Sequence, residues 1–224
     1  MLLNVRNLGS DKVKSSELSA LLAKHDIIAL TETHLSSFQA HDTRLAGYKH
    51  FFVTRSERKG GGVSLLIKDA LARHVSVVRE CTAVMGNEIL WVRINHAALD
   101  LGGKNLLLAL CYCSPCDSGM YPKRQKAETT AQQVFENISS SLDELRGGND
   151  IAMLLGDFNA RTGSLSDLPD LELLEGLQRE GLGSFDVNGL MQAPLRRNED
   201  IEINAFGRAL LQMCMDKGLL ILNG

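Results

Sequence analysis

The sequence predicts an α/β fold in which two β-sheets pack face to face with helices outside. Three observations predict it. Apolar runs of strand length follow one another in hairpin succession with few helical stretches between them, which argues against a simple alternating doubly wound sheet. No repeat and no linker divides the 224 residues, so 1–224 reads as one domain with room for a sizeable core. Hydrophobic residues at 44% and charged residues at 23% are the balance of an ordinary globular chain.

The elements read in order as follows. Residues 2–5 form a first strand, and Ser15 or Ser16 caps a helix running to Lys24 with Leu18, Leu21 and Leu22 as its apolar stripe. Residues 27–31 are a buried strand ending in Glu32, and Lys59-Gly60-Gly61-Gly62 is a tight turn feeding a strand at 63–67. Further strands read at 74–78, 89–94 and 106–112. Residues 127–146 form the clearest helix, with Val134, Phe135, Ile138, Leu142 and Leu145 on one face, and Gly147-Gly148-Asn149 ends it. A strand at 151–155 follows. Residues 161–198 loosen into a glycine- and charge-rich insertion with a short helix at 174–180, before a helix at 207–217 and an apolar strand at 219–222.

Composition restricts the partners. The net charge of -3 leaves no overall cationic footprint, so a nucleic-acid substrate requires a local basic patch. Five cysteines, an odd number, and no signal-like opening indicate reduced thiols in an intracellular setting, nuclear or cytoplasmic. No apolar run approaches membrane-spanning length, so no membrane partner is expected.

The chemistry concentrates in residues 151–161, where five apolar residues run into Gly156-Asp157-Phe158-Asn159. Alternation at a strand end sends Asp157 and Asn159 to the same side, a carboxylate and a carboxamide suited to a hydrated metal ion and a phosphate oxygen. Taken alone, the stretch fits equally well a buried strand ending in an Asx-type turn. Other motifs are weaker. Cys111, Cys113 and Cys116 have zinc-like spacing without a fourth ligand nearby, and packing explains them better. The glycine run at 60–62 lacks the Lys-Ser/Thr pair of a nucleotide loop; with Arg55, Arg58 and Lys59 it reads as a solvated charged turn able to touch a DNA backbone. None of the six histidines has a partner pattern, and no Gly-x-Ser-x-Gly elbow is present.

Four segments in order resemble the endonuclease/exonuclease/phosphatase superfamily, whose members include apurinic endonucleases, DNase I and inositol polyphosphate phosphatases. They are Leu3-Asn4-Val5-Arg6-Asn7-Leu8, Leu30-Thr31-Glu32-Thr33-His34, Leu110-Cys111-Tyr112-Cys113-Ser114-Pro115 and Gly156-Asp157-Phe158-Asn159. The resemblance implies a four-layer, DNase I-like α/β sandwich of two packed mixed sheets flanked by helices. Arg196-Arg197-Asn198-Glu199-Asp200, Asn204, Gly207-Arg208-Ala209-Leu210-Leu211 and Leu219-Leu220-Ile221-Leu222-Asn223-Gly224 resemble, more loosely, the endonuclease domains of non-LTR retrotransposons. That branch implies metal-dependent hydrolysis of DNA; another superfamily phosphatase and a non-catalytic nucleic-acid-binding remnant are the alternatives.

The resemblance also implies roles. Glu32 would hold magnesium (Mg2+), or manganese (Mn2+) in its place, an ion that prefers oxygen ligands and keeps most of its waters. Asp157 would position or deprotonate the attacking water, Asn159 would hydrogen-bond a phosphate oxygen, Asn4 would orient the carboxylates, and Tyr112 would offer its hydroxyl to the phosphate. Asn4 and Tyr112 each have an ordinary structural reading beside this one, as a strand-end Asn and a half-buried Tyr. Superfamily members end on a strand with an aspartate and then Ser-Asp-His, and this sequence contains no Ser-Asp-His. The expectation is therefore a domain incomplete at its C-terminus, its final strands missing, with impaired activity.

Overall fold

The structure is a computed structural model that describes residues 1–55, 60–84, 87–168, 179 and 198–222, with the backbone alone at 81–84. Its contacts divide into two compact units. The first comprises Met1–Arg124 and Ser140–Phe158, the second Gln125–Ser139 and Asn159–Gly224.

The first unit holds two four-stranded sheets. In one, β1 (Leu2–Asn4), β2 (Ile27–Thr31), β3 (Tyr48–Val53) and β4 (Val63–Lys68) lie in the order β1-β2-β4-β3. The β1–β2 pair is parallel and the others antiparallel. In the other sheet, β5 (Val75–Val84), β6 (Asn87–Ile94), β7 (Asn105–Tyr112) and β8 (Asp150–Asp157) lie in sequence order, antiparallel except for the parallel β7–β8 pair. Both sheets are thus mixed, as the resemblance implies.

Strand alternation explains how they pack. Phe51, Val53, Val63, Leu65 and Ile67 face Leu90, Val92, Ile94, Leu106, Leu108 and Leu110 in one buried cluster. These residues recur at every second position, so each strand gives one face to the inter-sheet core. The opposite face of the first sheet, Ile28, Leu30 and Leu66, packs under Leu8, Leu22, Leu35 and Ala40. Those come from the segments carrying α1 (Ser10–Val13), α2 (Ser16–Leu22) and α3 (Ser37–Asp42); a one-turn helix, α4 (Asp69–Ala72), follows β4. Of the two candidate caps for α2 it is Ser15 that acts, accepting the Leu18 amide at 3.1 Å.

The long helix α5 (Ala127–Leu145) begins in the second unit and ends in the first. Its last turn is tied to the second sheet. Asp150 accepts from Arg93 at 3.0 Å and from the Gly147 amide at 2.9 Å, while Arg93 also donates to the Leu145 carbonyl at 2.7 Å. Burial alone would push the Asp150 carboxyl up; these donors outweigh it and hold the group below the usual carboxylate range.

In the second unit, α6 (Ala205–Lys217) starts at an Asn204 cap, whose side chain accepts the Gly207 amide at 2.7 Å. Phe135 and Phe206 meet edge to face with ring centroids 5.9 Å apart. Arg161 binds both carboxylate oxygens of Asp200, at 2.7 and 2.9 Å, and also pairs with Glu202. The expectation of a strand at 219–222 is corrected. Those residues pair with no strand among the described residues, and the Ile221 amide instead donates to the Asp167 carboxylate at 2.6 Å. Apolarity alone does not make a strand; a neighbouring edge must accept it. The helix expected at 174–180 lies, except for Arg179, outside the described residues.

Candidate active site

Four of the five expected site residues stand at one end of the two sheets in the first unit. Asn4 is the last residue of β1, Glu32 follows β2 directly, Tyr112 ends β7 and Asp157 ends β8. In the registers Asn4 pairs with Thr31, and Tyr112 with Asp157. Both pairs are parallel, so all four residues come from C-terminal strand ends, one pair from each sheet.

Asn4 joins the two pairs. Its Nδ2 donates to Glu32 Oε1 at 2.8 Å and to Asp157 Oδ2 at 3.2 Å. Its Oδ1 accepts the Arg6 amide at 3.2 Å, which sets the orientation of the carboxamide and points its NH2 at the two carboxylates. The neighbouring backbone is laced to match. Val5 donates to the Thr31 carbonyl at 3.0 Å, Asn7 to Glu32 at 2.7 Å, and Thr33 to Gly62 at 3.2 Å. Among the described residues, the non-glycine positions in the left-handed region are Arg6 (φ 41°), Asn7 (φ 90°), Glu32 (φ 53°), His34 (φ 54°) and Asn159 (φ 48°). All follow the strands that carry site residues, and each such position costs about 1–3 kcal/mol. Strain of this kind persists only where surrounding bonds over-determine the chain.

Tyr112 is nearly buried, and its hydroxyl is pushed up to about 12 by burial first, then by the charges of Glu32 and Asp157. It therefore remains a hydrogen-bond donor throughout the ordinary pH range. The Arg55 guanidinium, 5.9 Å from the centre of the Tyr112 ring, acts in the opposite direction. Arg55 corrects the solvated charged turn expected from the sequence. Its side chain is 7% exposed and forms an ion pair with Glu88, which is fully buried. Arg58 and Lys59 lie outside the described residues. Sequence reasoning missed Glu88 altogether, because a charged residue near the start of an apolar strand gives no sign of its partner. His34 Nε2 stands 3.9 Å from Glu32 Oε2, at the limit of an ion-pair contact.

Asn159 falls in the second unit, where its carbonyl accepts the Asn204 side-chain amide at 3.0 Å. The strand alternation linking it to Asp157 stops at the end of β8, and the chain then turns through Asn159. Cys111 and Cys113 are buried and Cys116 is exposed; burial pushes the Cys113 thiol far up. No group of three or more His, Cys, Asp or Glu among the described residues could hold a metal ion. Glu32, with Asp157 beside it, instead offers a small all-oxygen donor set. That suits a hard divalent ion which keeps most of its waters.

The sequence matches the Endonuclease/Exonuclease/phosphatase family over residues 1–186. No curated protein sequence matches the chain. Among solved structures, an AP endonuclease from Archaeoglobus fulgidus superposes with a TM-score of 0.51 at 14% identity, over 96% of this chain and 69% of that one. The AP endonuclease LMAP from Leishmania major gives 0.49 at 18% identity, over 72% and 55%. A humanized D. rerio TDP2 gives 0.48 at 17% identity, and this chain spans 65% of its length. The family match takes in every strand of both sheets, together with Asn4, Glu32, Tyr112, Asp157 and Asn159, and the chain belongs to the Endonuclease/Exonuclease/phosphatase family.

Proposed function

We propose that the chain hydrolyses phosphodiester bonds in DNA with a divalent cation, as an endonuclease of the non-LTR retrotransposon type, and that residues 1–224 act as a single domain of the family. The observation that carries this reading is the Asn4 carboxamide holding Glu32 of one sheet and Asp157 of the other on a single nitrogen. Two carboxylates drawn together without a cation between them repel, and a neutral amide offsets only part of that repulsion. Such a pair is suited to a positive ion and to a water that must lose a proton.

The roles follow. Glu32 would hold the ion, and magnesium, or manganese in its place, would supply Lewis-acid chemistry. Asp157 accepts the proton of the attacking water. Tyr112, kept protonated, and Asn159 donate hydrogen bonds to phosphate oxygens, and Asn4 keeps the carboxylates in place. The retrotransposon reading draws support from the Asn204 and Gly207 segment. Asn204 caps α6 and bonds Asn159 and Arg161, while a Cβ at Gly207 would lie 1.8 Å from the Arg161 carbonyl oxygen. These motif residues thus brace the chain just past Gly-Asp-Phe-Asn. This span contains no Ser-Asp-His, and we propose that its cleavage is slow.

The test is nicking of supercoiled plasmid with magnesium by the parent, Glu32→Gln and Asp157→Asn. The expected result is slow nicking that falls by about 10²–10⁴ in Asp157→Asn, the range of a lost general base. Equal nicking by all three proteins refutes the site. Phosphate release from inositol phosphates with no plasmid nicking moves the chain to another activity of the same family.

A further inference from the structure

A buried polar clasp lies beside the site and belongs to none of the roles above. Glu88, the second residue of β6, stands opposite Tyr112 in the β6–β7 register and is fully buried. Arg55, just past β3, grips it with both arms of its guanidinium, Nε to Oε1 at 2.5 Å and Nη2 to Oε2 at 3.0 Å. The same Nη2 donates to Ser114 Oγ at 3.1 Å, beyond the end of β7, and the Gly62 amide donates to Glu88 Oε2 at 3.3 Å. Gly61 and Gly62 in turn accept the His34 and Thr33 amides, at 2.9 and 3.2 Å.

We infer that Arg55 and Glu88 are positioning residues for the candidate site: the pair sets the Tyr112 ring on one sheet against the Glu32 segment on the other. The inference rests on the reading of the site given above. Arg55 follows β3 and Gly62 precedes β4, in the sheet whose β2 leads into Glu32; Glu88 lies in β6 and Ser114 follows β7, in the sheet that carries Tyr112 and Asp157. Every bond that the pair makes to these partners except the one to Ser114 converges on the Glu88 carboxylate. A buried ion pair contributes little net stability compared with apolar residues of similar volume, and its fixed geometry is its better-attested use. The Arg55 fork is planar and directional, which lysine cannot reproduce. Arg55 also places a cation over the Tyr112 ring, against the two carboxylates that act on its hydroxyl.

The test uses the full chain labelled with fluorotyrosine. Three tyrosines are present, Tyr48, Tyr112 and Tyr121, and Tyr112→Phe assigns the site resonance. The Arg55→Met/Glu88→Leu double variant removes both charges together, so no uncompensated ion remains in the core; Arg55→Lys keeps the charge and loses the fork. The expected result is a folded double variant whose Tyr112 fluorine line broadens and moves toward the free amino-acid position while the Tyr48 line stays. Nicking should then lose about tenfold in kcat with KM changed less than about twofold, the pattern of a displaced group rather than lost substrate binding. Arg55→Lys should show the same changes in reduced form, and it decides the question if the double variant does not fold. A Tyr112 line left at its parent position, in either folded variant, overturns the inference. If the line moves but the parent never nicks, the clasp stands and the nuclease reading falls.

Discussion

The substitution Gly156→Ala tests the packing behind the site motif most directly. Gly156 lies opposite Cys111 in the parallel β7–β8 pair, with φ at +152°. A Cβ there would lie 1.9 Å from the Cys111 carbonyl oxygen, 2.8 Å from its carbon and 2.9 Å from its nitrogen. Carbon contacts are comfortable only near about 3.5 Å, so β8 would have to retreat from β7 by more than about 1 Å. The ladder bonds on either side would stretch out of range, and two of them cost about 2 kcal/mol together. Holding alanine at that positive φ costs about 1–3 kcal/mol more, and its smaller unfolded-state entropy returns about 0.4–1 kcal/mol. The net loss is about 2–5 kcal/mol. Asp157 is the next residue, so its 3.2 Å bond to Asn4 should be lost in whatever folded population remains. Urea unfolding followed by circular dichroism measures the first effect, and divalent-metal titration by calorimetry measures the second. A destabilisation below about 1 kcal/mol, the size of an ordinary substitution, refutes the packing argument.

Three further outcomes follow. Gly207→Ala should destabilise the second unit by about 2–3 kcal/mol although alanine is the better helix former, because the Cβ meets the Arg161 backbone; hydrogen exchange of the α6 amides reads it, and slower exchange contradicts it. His50 is bonded to Ser64 Oγ at 2.8 Å, and burial, with help from Arg44 and His41 and against the Thr43 and Ala40 carbonyls, lowers it to about 4. A depressed histidine favours the fold while neutral, so its contribution of about 3 kcal/mol is present above about pH 6.5 and lost as the pH falls toward 4; His50→Gln should flatten the stability profile across that window. Asn4→Ala frees the two carboxylates it holds and should weaken divalent-metal affinity by about 10–100-fold, measured by calorimetry; unchanged affinity removes Asn4 from the site.

The fold was legible wherever the strand signal was local. The runs at 27–31, 89–94, 106–112 and 151–155 are apolar enough to declare themselves, and the strands observed differ from them only at the ends. β3 went unread because Tyr48, Lys49 and His50 break the apolar pattern, and its buried residues alternate only from Phe51. α3 carried a usable signal, the Ser36–Gln39 capping box, in which each residue satisfies the other's backbone. Asn4, Glu32, Tyr112 and Asp157 were legible because each sits in a short recognisable string. Arg55 and Glu88 were not, since they lie 33 residues apart and each alone looks like a surface charge. Apolarity misled at 219–222, where no edge among the described residues receives the strand.

The bond between Asn4 and Asp157 spans 153 residues. At a synthesis rate of about 10 residues per second, the N-terminal strand leaves the ribosome about 15 s before its partner exists. Closing so large a loop has a high entropic cost, so this contact belongs to the slow, late part of folding. Until it forms, Glu32 can settle beside Asn4 on the first sheet, but the pair of carboxylates does not exist. On the proposed reading, metal affinity should therefore appear last on the refolding pathway, and its return would report completed folding.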